Sequence, residues 1–158
     1  MLKGIINLIY FKFRKKEIKK ARYRLRRLKI GTILNIIMRN CKEKQITCNV
    51  IEENRLELIV ELIGKKEKVL LKYDRRDMIF HDEYYNFVAN LKKIGVEKGV
   101  YITCGLFEGN IHGNRNIFHK QIALYDYAYF IKNQLGLRGK TIDVFRNRKI
   151  NFFRYLPK

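Results

Sequence analysis

The sequence predicts a single α/β domain in which a mixed central sheet is flanked by helices. Segments of strand length and apolar composition alternate with segments of helical periodicity, and two of the strands follow each other as a hairpin. The chain has 158 residues, and 47% of them are hydrophobic. This length and composition suit one domain with a real core.

The elements are expected in the order helix, three strands, helix, strand, helix, strand, helix. Residues 3–42 have helical periodicity and form one helix, or two with Gly31 as the break. The later elements are assigned from apolar alternation and from turn and helix-ending residues. The strands are predicted at 45–50, 55–62, 66–73, 98–104 and 120–126, and the helices at 82–95, from about 114, and at 127–136.

The central hairpin carries the charged residues of greatest interest. If residues 64–65 form a two-residue turn, Glu57 lies opposite Lys72 and Glu61 opposite Lys68. The simplest interpretation is two cross-strand ion pairs, each contributing less than about 1 kcal/mol.

The two faces of this hairpin differ in composition. The face predicted to meet the core carries Leu56, Leu58, Val60, Leu62, Val69, Leu71 and Tyr73. The opposite, more polar face carries Glu57, Ile59, Glu61, Lys68, Leu70 and Lys72.

The net charge of +20 is concentrated at the two ends of the chain. Residues 1–31 contain twelve Lys and Arg against Glu17 alone, whereas residues 32–110 contain thirteen against twelve acids. Residues 111–158 contain ten against two. This asymmetry predicts a polyanionic partner, and nucleic acid, either DNA or RNA, is the leading one.

The predicted nucleic-acid-binding residues are the cations of these two ends, because cations neutralise phosphates. The aromatic residues of the C-terminal segment either stack on unpaired bases or pack that segment onto the core. The cations are Arg14, Lys15, Lys16, Lys19, Lys20, Arg22, Arg24, Arg26, Arg27, Arg138, Lys140, Arg146, Arg148, Lys149 and Arg154.

The first helix also has an apolar stripe, so the basic N-terminal segment would suit either nucleic acid or an anionic membrane. The stripe consists of Leu2, Ile5, Ile6, Ile9 and Phe13. Nucleic acid is favoured over a membrane surface because the far end of the chain is basic as well. The apolar run is far shorter than the roughly 20 residues that span a bilayer.

Residue usage excludes several classes of site. The chain has no serine, which excludes a serine nucleophile. Three cysteines without a CxxC pair suit a reducing compartment, the cytoplasm or an organelle matrix, and the absence of a signal cleavage site argues against secretion. The three histidines are too scattered for a histidine-rich metal site.

Two strings, "EKGVYITCGLF" and "QIALYDYAYFIKNQLGL", are similar to segments of a known family. Residues 20–136 resemble the Mrr-type restriction endonucleases of the PD-(D/E)XK nuclease superfamily, both in these strings and in the order of their helices and strands. Asp126 stands at an aspartate of the family's final motif. The resemblance implies a restriction-endonuclease-like sandwich.

The same resemblance assigns a candidate catalytic site. Glu57 falls at the family's first acid and Lys72 at its lysine, but Leu70 stands where a second acid is expected. Two carboxylates normally hold the Mg²⁺ of such a site beside the lysine. The catalytic site is therefore predicted to be degenerate. The protein is expected to bind nucleic acid without a cofactor and without cleaving it.

Two alternatives remain. In an active Mg²⁺-dependent endonuclease, Glu57 would be a metal ligand and a migrated acid at Glu61, Asp74 or Glu83 would complete the site, unless a second subunit or the nucleic acid did so. The chain could otherwise be a structural RNA-binding component of a large ribonucleoprotein such as a ribosome.

The expected organisation has three parts. Residues 1–31 form a basic amphipathic helical extension and residues 32–136 the PD-(D/E)XK-like domain. Residues 137–158 form a basic, aromatic tail.

Overall fold

A mixed five-stranded sheet lies at the centre of the computed structural model, which describes residues 1–111, 121–136 and 150–158. The strands are β1 Thr47–Glu53, β2 Glu57–Ile63, β3 Lys68–Asp74, β4 Met78–Ile79, β5 Lys98–Thr103, β6 Leu106–Phe107 and β7 Gln121–Tyr125. The order in the large sheet is β1-β2-β3-β5-β7, with β1, β2 and β3 antiparallel and β3, β5 and β7 parallel. A separate two-stranded sheet pairs β4 with β6.

Helices cover both faces of the large sheet. They are α1 Leu2–Phe13, α2 Lys15–Arg27, α3 Ile30–Glu43, α4 His81–Ile94 and α5 Tyr127–Leu135, with a 3-10 turn at Phe153–Tyr155. The predicted α/β class with a mixed sheet flanked by helices is confirmed, and it is consistent with a restriction-endonuclease-like sandwich. The helix predicted from about residue 114 begins in a segment outside the described residues.

The N-terminal region forms three helices, so the predicted break at Gly31 is wrong. The chain leaves the helical conformation at Leu28 and Lys29, whose backbones are extended, and Gly31 lies in the first turn of α3. A single glycine costs a helix only about 1 kcal/mol relative to alanine, so it does not by itself interrupt the helix. Ile33, Ile37 and Cys41 then repeat every four residues along the buried side of α3.

One face of the sheet forms a core with α1, α2, α3 and α5. The C-terminal residues complete it, because Phe152 and Tyr155 are buried and the backbone N–H of Phe152 donates to Asn40 Oδ1 at 2.7 Å. These two aromatic rings therefore pack onto the core and are not available to stack on bases.

The opposite face packs against α4, whose buried residues repeat at helical spacing. Tyr84, Phe87, Val88 and Leu91 meet the sheet. The helix ends as predicted at Gly95, whose φ of 77° lies in the left-handed region that favours glycine. No helix of the described ranges is long and apolar enough to cross a bilayer.

The hairpin of β2 and β3 has a longer turn than predicted. Ile63 pairs with Lys68, so the turn has four residues. The C-terminal residue supports this turn, since the N–H of Lys66 donates to the Lys158 carbonyl at 3.0 Å and the N–H of Lys158 to Glu67 Oε1 at 3.1 Å. The prediction of a two-residue turn at 64–65 is therefore wrong.

The register consequently differs by two residues from the prediction. Lys72 lies opposite Ile59, Glu57 opposite Asp74 and Glu61 opposite Leu70. Lys68 no longer faces Glu61. A shift of two leaves each side chain on its predicted face, because side chains alternate with a period of two.

The assignment of the core face is confirmed except at its first residue. Leu58, Val60, Leu62, Val69, Leu71 and Tyr73 are buried in the predicted core. Leu56 precedes β2 in a bend where its N–H donates to Asn54 Oδ1, and it is exposed. The opposite face is less polar than expected, because α4 buries Ile59 and Leu70.

Candidate functional site

Lys72 is buried beside two carboxylates on the face of the sheet that α4 covers. Its side chain is 3% exposed, and Nζ lies 3.2 Å from Glu57 Oε2 and 3.9 Å from Asp74 Oδ2. The predicted contact between Glu57 and Lys72 is therefore confirmed, although the two residues are not directly opposite. A buried ammonium needs such partners, because an unpaired charge is costly to remove from water.

The register explains why Asp74 joins this site. Asp74 pairs with Glu57 across the hairpin, and it lies on the same face of β3 as Lys72. Parallel pairing sets Tyr101 of β5 beside Lys72, and the Tyr101 hydroxyl donates to Asp74 Oδ2 at 2.9 Å. Asp74 is completely buried.

Asp74 is the one of the three alternative acids that joins Glu57 and Lys72. Glu61 lies farther along β2, where its carboxylate accepts a hydrogen bond from Asn49. Glu83 accepts from the N–H of Phe80 at the start of α4. Asp74 follows Lys72 by two residues, whereas the acid implied by the family resemblance would precede it by two.

Leu70 cannot supply a functional group to this site. Its side chain is fully buried among the apolar residues beneath α4, away from the end of β3 where the carboxylates meet. The carboxylate nearest to Glu57 and Lys72 is that of Asp74, four residues further along the chain than Leu70.

Arg76 bridges the two carboxylates, and no pattern in the sequence singled this residue out. Its Nη1 lies 2.7 Å from Glu57 Oε2 and 2.7 Å from Asp74 Oδ2. Its backbone N–H also donates to Asp74 Oδ1 at 2.9 Å. We refer to Glu57, Lys72, Asp74 and Arg76 as the carboxylate cluster, and two formal negative charges meet two positive charges in it.

The pKa directions in the cluster follow from burial and these contacts. Burial raises the pKa of Glu57, but hydrogen bonds and charge from Arg76 and Lys72 lower it more, so that it lies below its ordinary value. Burial lowers the pKa of Arg76, but Glu57 and Asp74 raise it above its ordinary value. Burial and the neighbouring Asp74 both raise the pKa of Tyr101. Glu57 is therefore ionised at neutral pH and Tyr101 keeps its donor proton.

An open pocket of about 470 Å³ beside α4 gives solvent access to the cluster. Its ionisable lining residues are mostly acidic: Glu52, Glu57, Asp82 and Glu83 against Lys72 and Arg76. This excess of carboxylates repels a phosphate that approaches without a cation.

The cluster in this arrangement does not fit Mg²⁺. The two carboxylate oxygens that would face the ion already share Arg76 Nη1, which takes the central cation position. Mg²⁺ needs near-octahedral oxygen ligands at about 2.1 Å and tolerates little distortion. Across the described segments, no group of three or more His, Cys, Asp or Glu side chains is placed to hold a metal.

The N-terminal cations divide between a solvent face and internal contacts. The basic face of α2 is exposed and consists of Lys15, Lys16, Lys19, Lys20 and Arg27. The opposite side of α2 buries Ile18, Ala21 and Leu25. Helical periodicity therefore gathers five of the nine predicted cations onto one surface.

The other predicted N-terminal cations make contacts within the protein. Arg14 Nη1 donates to the Tyr10 hydroxyl at 2.9 Å, and Arg22 Nε donates to the Cys104 carbonyl at 3.2 Å. Arg26 is paired with Asp77 at 2.6 Å, and Arg24 is half-buried.

Only one of the predicted C-terminal cations lies in the described residues. Arg154 is exposed, and its Nη1 donates to Asn133 Oδ1 at 2.8 Å. The others lie outside the described residues: Arg138, Lys140, Arg146, Arg148 and Lys149.

The end of α2 is joined to the loop that follows Asp74. Arg75 Nη2 donates to the Arg26 carbonyl at 2.8 Å, and Arg26 pairs with Asp77. Gly105 packs against the same loop so closely that a Cβ would clash with the carbonyls of Arg76 and Asp77. The end of the basic face and the carboxylate cluster therefore adjoin the same loop, at the end of β3.

Comparison with solved structures finds a distant likeness to the MspJI restriction endonuclease, solved in complex with a 27-mer oligonucleotide. The TM-score is 0.39 and the sequence identity 13%, over 90% of this chain. The chain spans 34% of the length of that protein. No family model matches the sequence, and no curated protein matches it. The likeness is too distant to assign a residue role or an activity.

Proposed function

We propose that this protein has a nuclease-like fold and binds nucleic acid, and that its carboxylate cluster does not catalyse cleavage of the nucleic acid. The basic face of α2 is the observation that carries the proposal. It presents five exposed cations, and Glu17 is the only acid in the helix. From Lys15 to Arg27 the helix rises about 18 Å, the length of about five base steps of a duplex.

The cluster supports the absence of cleavage. Hydrolysis in nucleases of this class needs a metal ion to polarise the phosphate and activate water. Arg76 and Lys72 neutralise the two carboxylates instead, and Arg76 Nη1 takes the position between them that a metal ion would need. We assign Glu57, Asp74 and Lys72 the role of a catalytic remnant that now stabilises the end of the hairpin.

Binding to labelled duplex DNA, single-stranded DNA and structured RNA tests the proposal. Replacing Lys15, Lys16, Lys19 and Lys20 with Gln should weaken binding by roughly tenfold or more. A matched control replaces four exposed lysines elsewhere, Lys65, Lys66, Lys68 and Lys93. Equal losses in both variants would show that net charge, and not α2, carries the binding. Binding limited to structured RNA would favour the ribonucleoprotein alternative.

An active Mg²⁺-dependent endonuclease is the second candidate, because Asp74 places a second carboxylate beside Glu57 and Lys72. It requires Arg76 to move away from both carboxylates when substrate binds. Incubation of the same nucleic acids with Mg²⁺ distinguishes the two functions. Cleavage by the wild type that disappears in Asp74→Asn would establish the enzyme and refute the remnant.

A further inference from the structure

We propose that α1 docks the protein onto an anionic lipid surface. The stripe of Leu2, Ile5, Ile6, Ile9 and Phe13 is turned towards solvent, and the side chains at its two ends are the most exposed, at 74% for Leu2 and 82% for Phe13. At about 100° per residue, the five positions lie within an arc of about 100°. They form a continuous apolar strip along the helix.

The opposite side of α1 fixes the helix to the body of the protein. The buried Tyr10 donates its hydroxyl proton to the Gly136 carbonyl at 3.0 Å, and Asn7 accepts a hydrogen bond from Lys132. Phe11 packs edge-on against Tyr129. Asn7 and Tyr10 thus face the protein, whereas the aliphatic stripe and the two lysines of α1, Lys3 and Lys12, are exposed.

Lysines border an apolar groove between α1, α2 and α5. The groove has a volume of about 710 Å³ and contains Phe11, Ile18 and Ala128. Lys12, Lys15 and Lys19 line it as well. Aliphatic side chains beside lysines are the combination that suits acyl chains and anionic headgroups at a membrane interface.

The charges favour lipid over the other occupants of an apolar face. A second copy would bring two basic helices together, since α1 and α2 contain Glu17 as their only acid. Nucleic acid would pair with the lysines but would leave the aliphatic stripe in water. A 12-residue helix is about 18 Å long, so it lies in the interface and does not cross the bilayer.

Co-sedimentation with vesicles tests this proposal independently of nucleic-acid binding. The wild type should bind vesicles of phosphatidylglycerol and phosphatidylcholine, and bind vesicles of phosphatidylcholine alone much more weakly. The double substitution Ile5→Gln and Ile9→Gln should weaken binding by more than about tenfold and leave DNA binding unchanged. The control substitutes another exposed apolar pair, Val50→Thr and Ile51→Thr, and should bind vesicles as the wild type does.

Two results would overturn the proposal. Vesicle binding that is equal in the wild type and in the Ile5→Gln, Ile9→Gln variant would show that lysines alone attract the lipid. Self-association of the wild type without lipid, lost in the same variant, would assign the stripe to a second copy of the chain.

Discussion

Replacing Arg76 with Ala removes the cation that joins the two carboxylates. Glu57 and Asp74 then face each other with Lys72 as the remaining cation, at 3.2 Å and 3.9 Å. Asp74 keeps the Tyr101 hydroxyl and the backbone N–H of residue 76 as donors. We therefore expect a folded but less stable protein.

The expected loss is about 2–4 kcal/mol in the free energy of unfolding. Breaking a buried ion pair costs about 3–5 kcal/mol. The Arg76 side chain is 29% exposed, so water replaces part of what is lost, and the retained donors of Asp74 reduce the cost further. The chain has no tryptophan, so urea unfolding is followed by far-UV circular dichroism.

The same variant should gain an affinity for divalent metal. Without the guanidinium, two carboxylates are open to Mn²⁺ or Mg²⁺, and a metal that binds only the folded state stabilises it. At ten times the dissociation constant, the gain is about 1.4 kcal/mol. The wild type should show no such metal-dependent gain.

Arg75→Ala is the matched control, because Arg75 donates to backbone carbonyls and not to the cluster. It should lower stability without creating a response to metal, and adding Glu57→Gln to Arg76→Ala should abolish the response. A cost below about 0.5 kcal/mol for Arg76→Ala, or an equal metal response in the wild type, would refute the reasoning.

Three further predictions concern the cluster and its surroundings. Folding lowers the pKa of Glu57, so its ionised form stabilises the protein above the ordinary pKa of 4.5, and this stabilisation is lost as the pH falls further. Glu57→Gln should therefore make the free energy of unfolding less dependent on pH in the acid range. The same pH dependence in the variant and in the wild type would contradict this prediction. Gly105→Ala should cost about 1–3 kcal/mol in urea unfolding because the new methyl group meets backbone carbonyls, and a neutral result would show that the loop yields. Leu70→Glu should abolish cooperative unfolding, because it buries an unpaired charge opposite Glu61. The control Leu70→Met should lower the free energy of unfolding by less than about 1.5 kcal/mol. A folded Leu70→Glu protein that binds metal would support position 70 as the place of the second metal-binding acid.

Much of the sheet could be predicted because its signal is local. Alternation fixed the faces of β2 and β3 even though the register was wrong, since a shift of two residues preserves them. The register of the β2–β3 hairpin depends on its four-residue turn, which contacts Lys158. Lys158 lies 91 residues from Glu67 in the sequence, so the residues around the turn give no sign of this contact. Glu57 and Lys72 were therefore paired correctly through a wrong register.

The carboxylate cluster and its contact with Tyr101 were less predictable, because the residues come from β2, β3, the loop after β3 and β5. Asp74 was one of three candidate acids, and only the observed register singles it out. Arg76 follows the end of β3, where alternation no longer predicts a direction, and Tyr101 comes from a strand whose partner was not specified. Residues 74–77 read Asp-Arg-Arg-Asp, and this pattern does not indicate which of the four charges faces the sheet.

Salt dependence of DNA binding tests the central claim most directly. Removing the first thirty residues is a poor test, because Ile18 and Leu25 belong to the core. The substitutions at Lys15, Lys16, Lys19 and Lys20 keep the core and remove four exposed charges. Each phosphate contact with duplex DNA contributes about 0.9 to the slope of log affinity against log salt, so the slope should fall by about 2–4. Parallel slopes for the wild type and this variant would contradict the account.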